Sequence, residues 1–383
     1  MKIFLVDKSR YCGGAERSLA LLLKTSPKDA DVFLVTDYAL EHQAAYEPYA
    51  WPRVLRRFNK TKFLLKFLEH YSNYRLARGV LRILSASKFL PLLLKYRPDI
   101  VDFNLFRSSD QWDLRMCRLC HIKTVCHIRS LSGQITIPTS VVPLADYFIC
   151  VSQNVAEGFS EIPDGKKTVI HNAVEIDMEK RSISQAEARK QLQFPQDKFI
   201  IGSVAVCEKR KGHDVAIEGF SRLADDFHDV MLFIIGRDIN PGQNEIHRLM
   251  ELSQKYGVAD RVRFAEFKPS LMPIVYRALD LVLALSSDGE AFGRVPIEAG
   301  GYGRMSMVSN RGAFLETVAN NQTGVLVSPR PLDVASKLRQ LLQAPECIKA
   351  MSENASKEFP QRFSAIANSD KTFQVYKTIS RQK

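Results

Sequence analysis

Short apolar runs alternate with helical patterns along most of the chain, and this alternation constrains the fold more than any other feature. The runs are nearly continuous stretches of Val, Ile, Leu and Phe, which is typical of strands buried on both faces. Because helical patterns separate them, they predict parallel sheets covered by helices. The predicted strands are residues 2–6, 31–36, 100–104, 123–129, 147–152, 167–172, 199–206, 230–236, 262–266, 281–285, 305–310 and 324–328.

These strands fall into two series of six. A polar, charge-rich stretch at residues 175–197 separates the series, and we interpret it as the passage between domains. A chain of 383 residues, 45% of them hydrophobic, is long enough for two domains with their own cores. We therefore predict an α/β protein with two Rossmann-like, doubly wound parallel-sheet domains.

Within residues 286–316, two of the carboxylates lie in a strand, turn and helix context. Glu290 follows a predicted strand, and Glu298 lies about one turn inside a helix predicted to start near Arg294. Both can therefore face one cleft beyond the carboxyl end of a sheet, where helix N-termini offer N–H groups to anions. The turn at Phe292 and Gly293 supplies such amides. Carboxylates beside an anion-binding helix end suit a ligand with hydroxyls and phosphates, such as a nucleotide sugar.

Four motifs in order resemble those of retaining glycosyltransferases of family 4. The Glu290–Glu298 pair matches the E-x7-E region of that family. The GGAER sequence that begins with Gly13 and Gly14 is similar to the family's glycine-rich loop. The VIHNAV sequence around Asn172 is similar to a strand that ends in Asn-Gly-Val, and the KGHD sequence that begins at Lys211 is similar to the family's Lys-Gly pair.

The resemblance implies the GT-B architecture, with the active site in an interdomain cleft. It implies an acceptor-side domain at residues 1–175 and a donor domain at residues 176–360 that binds the nucleotide sugar. A C-terminal helix at residues 361–383 would pack back on the first domain. The implied donor is UDP- or GDP-linked, and neither a cofactor nor a metal ion is expected.

The resemblance also implies roles for single residues. Glu298 would bind the donor ribose and Glu290 the transferring sugar, with the amides of Phe292 and Gly293 nearby. Lys211 would neutralise the diphosphate at a helix N-terminus. The other residues that we assign to substrate binding are Gly13, Gly14, Arg129, Asn172, Arg210 and Glu316.

Two departures from the family pattern concern this site. The family usually has Arg five residues before the motif lysine, where this chain has Val206. Either Lys209 or Arg210 replaces that cation, or stabilisation of the leaving group is weaker. Arg311 adds bulk where the family keeps a small residue beside the sugar site.

His127 and Arg129 lie at the end of a predicted strand of the first domain. Because alternate strand residues share a face, both point to the same side. Family members often have a sugar-contacting His near this position. We take His127 as that contact, with Arg129 as the alternative, and a core histidine remains the other interpretation of His127.

Residues 53–97 carry twelve Lys or Arg against one acid, Glu69, and hold almost the whole net charge of +12. Arg75, Arg78 and Arg82 share one face of a predicted helix whose other face is apolar. A basic amphipathic segment suits an anionic membrane surface, which would present a glycan or lipid-linked acceptor. A solvated helix face that packs on the first sheet is the alternative.

No stretch has the pattern of a signal peptide, and no apolar run is long enough to cross a bilayer. We expect a cytoplasmic protein associated peripherally with the inner face of the membrane. The seven cysteines fit a reducing compartment. Neither a dinucleotide-binding G-x-G-x-x-G nor a P-loop occurs, which argues against dehydrogenases and P-loop nucleotidases.

The predicted reaction is transfer of a sugar, with retention of anomeric configuration, to an envelope glycan, lipopolysaccharide or glycolipid. We favour a front-face route, in which the departing phosphate helps to deprotonate the acceptor. One alternative is a nucleic-acid-binding protein that uses residues 53–97, although we expect no nucleic acid partner. Another is a catalytically weak GT-B scaffold, which the valine at position 206 suggests.

Overall fold

The computed structural model describes residues 1–9, 13–36, 53–56, 87–239, 242 and 244–382. The chain forms two compact units. The first consists of Met1–Ala173 and Ala365–Lys383, and the second of Val174–Ser364.

The α-helices are short to medium in length, and most of them connect successive strands. In chain order they are α1 (Gly14–Lys24), α2 (Leu90–Tyr96), α3 (Gln111–Leu119), α4 (Gln153–Gly158), α5 (Met178–Ser182), α6 (Gln185–Leu192), α7 (His213–Ser221), α8 (Glu245–Lys255), α9 (Met272–Ala278), α10 (Arg294–Gly301), α11 (Phe314–Thr317), α12 (Pro331–Gln343), α13 (Pro345–Arg362) and α14 (Ala365–Ser380). Among the described residues, no helix is long and apolar enough to span a membrane.

The first unit contains a sheet of seven parallel strands. They are β1 (Lys2–Asp7), β2 (Asp31–Thr36), β3 (Val54–Arg56), β4 (Ile100–Phe103), β5 (Lys123–Ile128), β6 (Tyr147–Cys150) and β7 (Lys167–Val169), in the order β3-β2-β1-β4-β5-β6-β7. The strand order reverses between β1 and β4, which makes their carboxyl ends the topological switch point. β3 was not predicted, because a three-residue strand inside a basic segment gives no apolar run.

Helices α1 and α14 contribute to the core of this unit. Leu19 and Leu22 of α1 pack in one buried cluster with strand residues such as Ile100. The same cluster contains Phe373 and Tyr376 of α14. The C-terminal helix is therefore a structural part of the first unit.

The second unit contains six parallel strands: β8 (Phe199–Val204), β9 (Val230–Ile235), β10 (Val262–Ala265), β11 (Leu281–Ala284), β12 (Ser306–Ser309) and β13 (Gly324–Val327). Their order is β10-β9-β8-β11-β12-β13, so the switch point lies between β8 and β11. Two separate buried clusters, one with Phe220 and Leu338 and another with Val275 and Tyr302, show that helices cover this sheet on both faces.

Residues 175–197, interpreted from the sequence as the passage between domains, contain α5 and α6 of the second unit. Arg189 of α6 is buried and donates from its NH2 to Asp280 Oδ2 at 2.6 Å and from Nε to the Ala278 carbonyl at 3.0 Å. The stretch has a polar composition because only one side of each helix packs on the unit. The prediction of two Rossmann-like parallel-sheet domains is confirmed.

Candidate functional site

The loops after β8 and β11 meet at the switch point of the second unit. Gly212 has φ +72°, and a Cβ there would lie 2.2 Å from the Leu285 carbonyl oxygen, so only glycine allows this approach. The amide of Ser287 donates to the Arg210 carbonyl at 2.8 Å. These backbone contacts place the Lys209–Lys211 turn beside the residues that follow β11.

The side chain of His213 anchors the loop that contains Lys209–Lys211. This side chain is buried, with Nδ1 2.8 Å from Ser203 Oγ and Nε2 3.3 Å from the Ala205 carbonyl. Burial lowers the pKa of His213, so the ring is neutral at pH 7. The sequence motif included His213, but its supporting role was not predicted from the sequence.

Glu290 is the centre of a charged cluster. Its Oε1 accepts hydrogen bonds from Lys211 Nζ at 2.6 Å and from Ser286 Oγ at 2.5 Å, and Arg210 NH1 lies 3.8 Å away. The side chains of Lys211 and Glu290 are only 13% and 21% exposed, so water screens this pair weakly. The structure thus brings two cations together on one carboxylate.

Arg210 and Lys209 were the two candidates for the cation that the sequence lacks at Val206. Arg210 lies beside Lys211 and also donates to Glu208 Oε2 at 3.0 Å, whereas Lys209 is exposed. Of the two, Arg210 is therefore the side chain that lies in the charged cluster.

Glu298 lies in α10 and has a partner on each oxygen. Arg294 Nε donates to Oε1 at 3.2 Å, and the hydroxyl of Tyr276 donates to Oε2 at 3.0 Å. Gly293, just before the helix, has φ +78°, and a Cβ there would lie 2.4 Å from the Phe314 ring. This glycine lets α10 start close to α11. Tyr276 has no signal in the sequence, because its contact with Glu298 is tertiary.

The contacts described for Phe292 and Glu316 are packing and backbone contacts rather than side-chain polar contacts of the charged cluster. The Phe292 side chain is buried and its ring lies 5.7 Å, edge to face, from that of Phe363. Only its backbone remains for ligand contact. Glu316 lies in α11, half-buried, and its carbonyl accepts from Arg362 NH2. The backbone of Glu290 pairs with the segment before α11, since the amide of Ala313 donates to the Glu290 carbonyl at 2.9 Å.

Arg311 is exposed, and its NH1 donates to the carbonyl of Ser287. Two glycines, Gly289 and Gly312, both with positive φ, allow their backbones to approach closely here. The extra bulk of Arg311 therefore lies against the loop that leads to Glu290.

The predicted residues of the first unit form a second polar cluster at the carboxyl ends of its strands. His127 Nε2 lies 2.9 Å from Asp102 Oδ2, and its Nδ1 lies 3.1 Å from Arg129 NH2. Arg129 also donates from Nε to the Asn104 carbonyl at 2.7 Å and from NH1 to Asn172 Oδ1. His127 is buried and Arg129 is half-buried, so Arg129 is the more accessible of the two.

Gly13 and Gly14 lie at the start of α1 in the same unit. The amide of Gly13 donates to Oε2 of the buried Glu16 at 2.7 Å, which closes the N-terminus of the helix. The Asn104 side chain donates to the Ala15 carbonyl at 3.3 Å, which links this loop to the end of β4. In the described part of the chain, no group of three or more His, Cys, Asp or Glu is arranged to hold a metal ion.

Parts of the chain are similar to known proteins. Residues 184–358 match the family model described as "Glycosyl transferases group 1". The D-inositol 3-phosphate glycosyltransferase of Corynebacterium jeikeium is 30% identical over 196 residues, which are 50% of this chain and 46% of that protein. The chain thus spans about half the length of the curated relatives it matches.

Two solved structures share the fold along the whole chain. Anabaena HepE in complex with UDP and glucose has a TM-score of 0.81 at 19% identity and covers 99% of this chain and 100% of its own. A glycosyltransferase from Rickettsia africae has a TM-score of 0.83 at 19% identity, with 100% and 99% covered. The likeness to these structures confirms the predicted GT-B fold.

Proposed function

We propose that this chain, whose residues 184–358 match group 1 glycosyl transferases, is a retaining glycosyltransferase of family 4. It transfers a sugar from a nucleotide-sugar donor to an envelope glycan, a lipopolysaccharide or a glycolipid. The observation that carries the proposal is the cluster of Lys211, Arg210 and Glu290 at the switch point of the second sheet.

This cluster suits a diphosphate for electrostatic reasons. Lys211 and Arg210 lie one turn before α7, separated from it by Gly212, and the N-terminus of α7 adds positive partial charge to their two positive charges. Their carboxylate partner, Glu290, keeps the two cations close together. A nucleoside diphosphate that entered here would compete with Glu290 for these two cations, and once bound it would have both donors in place for the reaction.

The donor is a UDP- or GDP-linked sugar. Support for UDP comes from HepE, whose structures contain UDP together with glucose, and UDP-glucose. We assign the ribose hydroxyls to Glu298, because its carboxylate is oriented by Tyr276 and Arg294 and can accept two hydrogen bonds in fixed geometry. Neither a metal ion nor a cofactor takes part in this proposal.

The mechanism is a front-face transfer. The bond between the anomeric carbon and the phosphate oxygen breaks while the acceptor oxygen bonds to the same face of the sugar. The departing phosphate oxygen takes the proton of the acceptor hydroxyl, and the nucleoside diphosphate leaves with it. Lys211 and Arg210 stabilise the charge that develops on the diphosphate, and Glu290 orients the sugar, so the protein acts by positioning and electrostatics.

The acceptor belongs to the first unit in this proposal. We assign the sugar or acceptor contact to Arg129 rather than to His127, because both ring nitrogens of His127 have protein partners and the ring is buried. Of the basic residues 53–97, which we propose for contact with an anionic membrane, the structure describes 53–56 and 87–97. Arg75, Arg78 and Arg82 lie outside the described residues.

A thermal-shift panel tests the donor site. UDP-, GDP-, ADP- and CMP-sugars are compared at equal concentration, and a true donor at 100 times its Kd stabilises the fold by about 2.7 kcal/mol. Glu298→Gln should reduce that shift, because a neutral amide replaces a charged acceptor. The matched control is Glu353→Gln, the same change at an exposed position of α13.

No shift with any of the four donors would contradict the proposed function. Donor binding without transfer to any acceptor would instead indicate a binding scaffold. Membrane contact is tested separately by sedimentation with anionic liposomes. Replacement of Arg75, Arg78 and Arg82 by Ser should reduce sedimentation with the liposomes and leave the donor-induced thermal shift unchanged. If the wild type does not sediment with the liposomes at low salt, membrane contact is refuted.

A further inference from the structure

A buried carboxylate lies in the middle of an apolar strand of the first unit. Asp102 of β4 is 1% exposed and is flanked by Val101 and Phe103, which are also buried. Placing an ionised carboxylate in such a site costs several kcal/mol unless hydrogen bonds compensate. Its Oδ2 accepts two of them, one from His127 Nε2 at 2.9 Å and one from the Tyr376 hydroxyl. In the described part of the chain, Oδ1 has no partner.

Asp102 and Arg129 together determine which nitrogen of His127 carries the proton. Because a carboxylate only accepts, the hydrogen must lie on Nε2, and Nδ1 is left as an acceptor. Arg129 NH2 donates to that Nδ1 at 3.1 Å. Burial lowers the pKa of His127, and the nearby Asp102 opposes this effect only in part. The ring is therefore neutral at pH 7 and can accept from Arg129.

The guanidinium of Arg129 is held on three sides. His127 contacts NH2, the Asn104 carbonyl accepts from Nε at 2.7 Å, and Asn172 Oδ1 accepts from NH1. These partners come from β5, from the residue after β4 and from the residues after β7. A planar guanidinium with three fixed contacts has one orientation.

Tyr376 connects this chain of contacts to the C-terminal helix. It lies on the buried side of α14, and burial together with Asp102 raises the pKa of its hydroxyl well above the usual value, so it remains a donor. The helix does not depend on this hydroxyl for docking. Asn368 Nδ2 donates to the His171 carbonyl at 2.6 Å, and Ser369 Oγ donates to the Thr25 carbonyl at 2.9 Å.

We propose that Asp102 and Tyr376 are positioning residues that set the orientation of Arg129 through His127, so that docking of the C-terminal helix determines the acceptor-side contact. The inference rests on the proposed function only where it assigns the acceptor to Arg129. The arrangement explains why the strand contains a buried carboxylate, since an apolar residue would leave the Nε2 hydrogen of His127 and the Tyr376 hydroxyl without their acceptor. It also gives α14 a role beyond covering the sheet.

Nitrogen-15 NMR of the histidine ring tests the positioning directly and needs no activity. In the wild type, we expect His127 to be protonated on Nε2 and to stay neutral at pH 7. Tyr376→Phe removes a donor from Asp102 and leaves its charge less satisfied, so the titration midpoint of His127 should rise. Asp102→Asn removes the charge that favours protonation, so the midpoint should fall, while Nε2 should stay protonated because the asparagine oxygen still accepts and Arg129 still donates to Nδ1.

The matched control is Tyr147→Phe, because the Tyr147 hydroxyl donates to the Lys167 carbonyl at 3.3 Å in the same unit, a bond that involves neither His127 nor Asp102. This variant should leave the His127 signals unchanged. If Asp102→Asn and Tyr376→Phe both leave the titration midpoint of His127 unchanged, or move it in the same direction, the positioning role is refuted.

Kinetics then connect the positioning to transfer. Tyr376→Phe should lower kcat/KM for the acceptor about tenfold and leave the donor Kd unchanged, because the donor contacts belong to the second unit. If the wild type binds no nucleotide sugar, the proposed function fails while the NMR result still decides the positioning. If the wild type binds the donor but kcat/KM for the acceptor is the same in Tyr376→Phe and Tyr147→Phe, the assignment of the acceptor to Arg129 is wrong. The positioning of Arg129 would then serve another purpose.

Discussion

Replacing Glu290 by Gln should strengthen the binding of a nucleoside diphosphate while weakening transfer. Glu290 Oε1 lies 2.6 Å from Lys211 Nζ and 3.8 Å from Arg210 NH1, the two cations that we assign to the diphosphate. The carboxylate and the diphosphate therefore compete for the same charges. The variant removes the negative charge but keeps an oxygen that can accept from Lys211.

The magnitude follows from the burial of this pair. Hydrogen bonds to charged groups contribute about 1.5–3 kcal/mol net, and a pair that is 13% and 21% exposed is screened weakly. Because glutamine retains part of this interaction, about 1.4 kcal/mol becomes available to the ligand, which corresponds to about tenfold tighter binding of UDP. Turnover should fall about a hundredfold if Glu290 orients the sugar in the transition state.

Isothermal titration calorimetry with UDP at fixed pH and ionic strength measures the first effect. The control is Glu251→Gln, which makes the same change in net charge at a side chain that is 65% exposed on α8. The gain should disappear when Lys211 is also replaced by Ala, because the competing cation is then absent. Unchanged or weaker UDP binding in Glu290→Gln would refute the competition between Glu290 and the diphosphate.

Three further variants or conditions test other parts of the site. Lys211→Ala should lower kcat, measured by steady-state kinetics, more than it lowers donor affinity, measured by calorimetry. Equal losses in both quantities would mean that Lys211 only contributes to donor binding. Gly212→Ala should lower the free energy of unfolding in urea by at least about 1–3 kcal/mol, because φ at this position is +72° and a Cβ would lie 2.2 Å from the Leu285 carbonyl oxygen. A variant as stable as the wild type would contradict this packing. Burial lowers the pKa of His127 and of His213, so below pH about 6.5 the unfolded chain takes up protons that the folded chain does not. The free energy of unfolding should fall as the pH is lowered from 7 to 5, and His213→Gln should make the fall shallower, whereas an equally steep fall would exclude His213 as a source.

The strands could be predicted from the sequence because buried parallel strands are apolar throughout. All twelve predicted runs correspond to strands, although several predictions extend one to three residues too far, as at residues 167–172, where β7 ends at Val169. The loops that leave parallel strands are themselves partly buried, so their composition does not mark the strand end. The short strand β3 has no such run and was missed.

The contacts of the candidate site could be predicted only in part. Motif spacing assigned Lys211 and Glu290 to one domain, but they are 79 positions apart, and the sequence does not show that they touch. The bond between Tyr376 and Asp102 joins residues 274 positions apart, and its only signal is a carboxylate inside an apolar strand. Phe292 was assigned to the site for its backbone amide, and the packing of its ring in the core was not predicted.

The most direct test of the central claim is the configuration of the sugar that the protein releases. Proton NMR can follow the anomeric signal while water replaces the acceptor and the donor identified by thermal shift is slowly hydrolysed. A retaining front-face transfer at the Lys211 and Glu290 cluster predicts that the first sugar released has the same anomeric configuration as the donor and that Lys211→Ala slows its appearance. First release of the opposite anomer, or an unchanged rate in Lys211→Ala, would contradict the account.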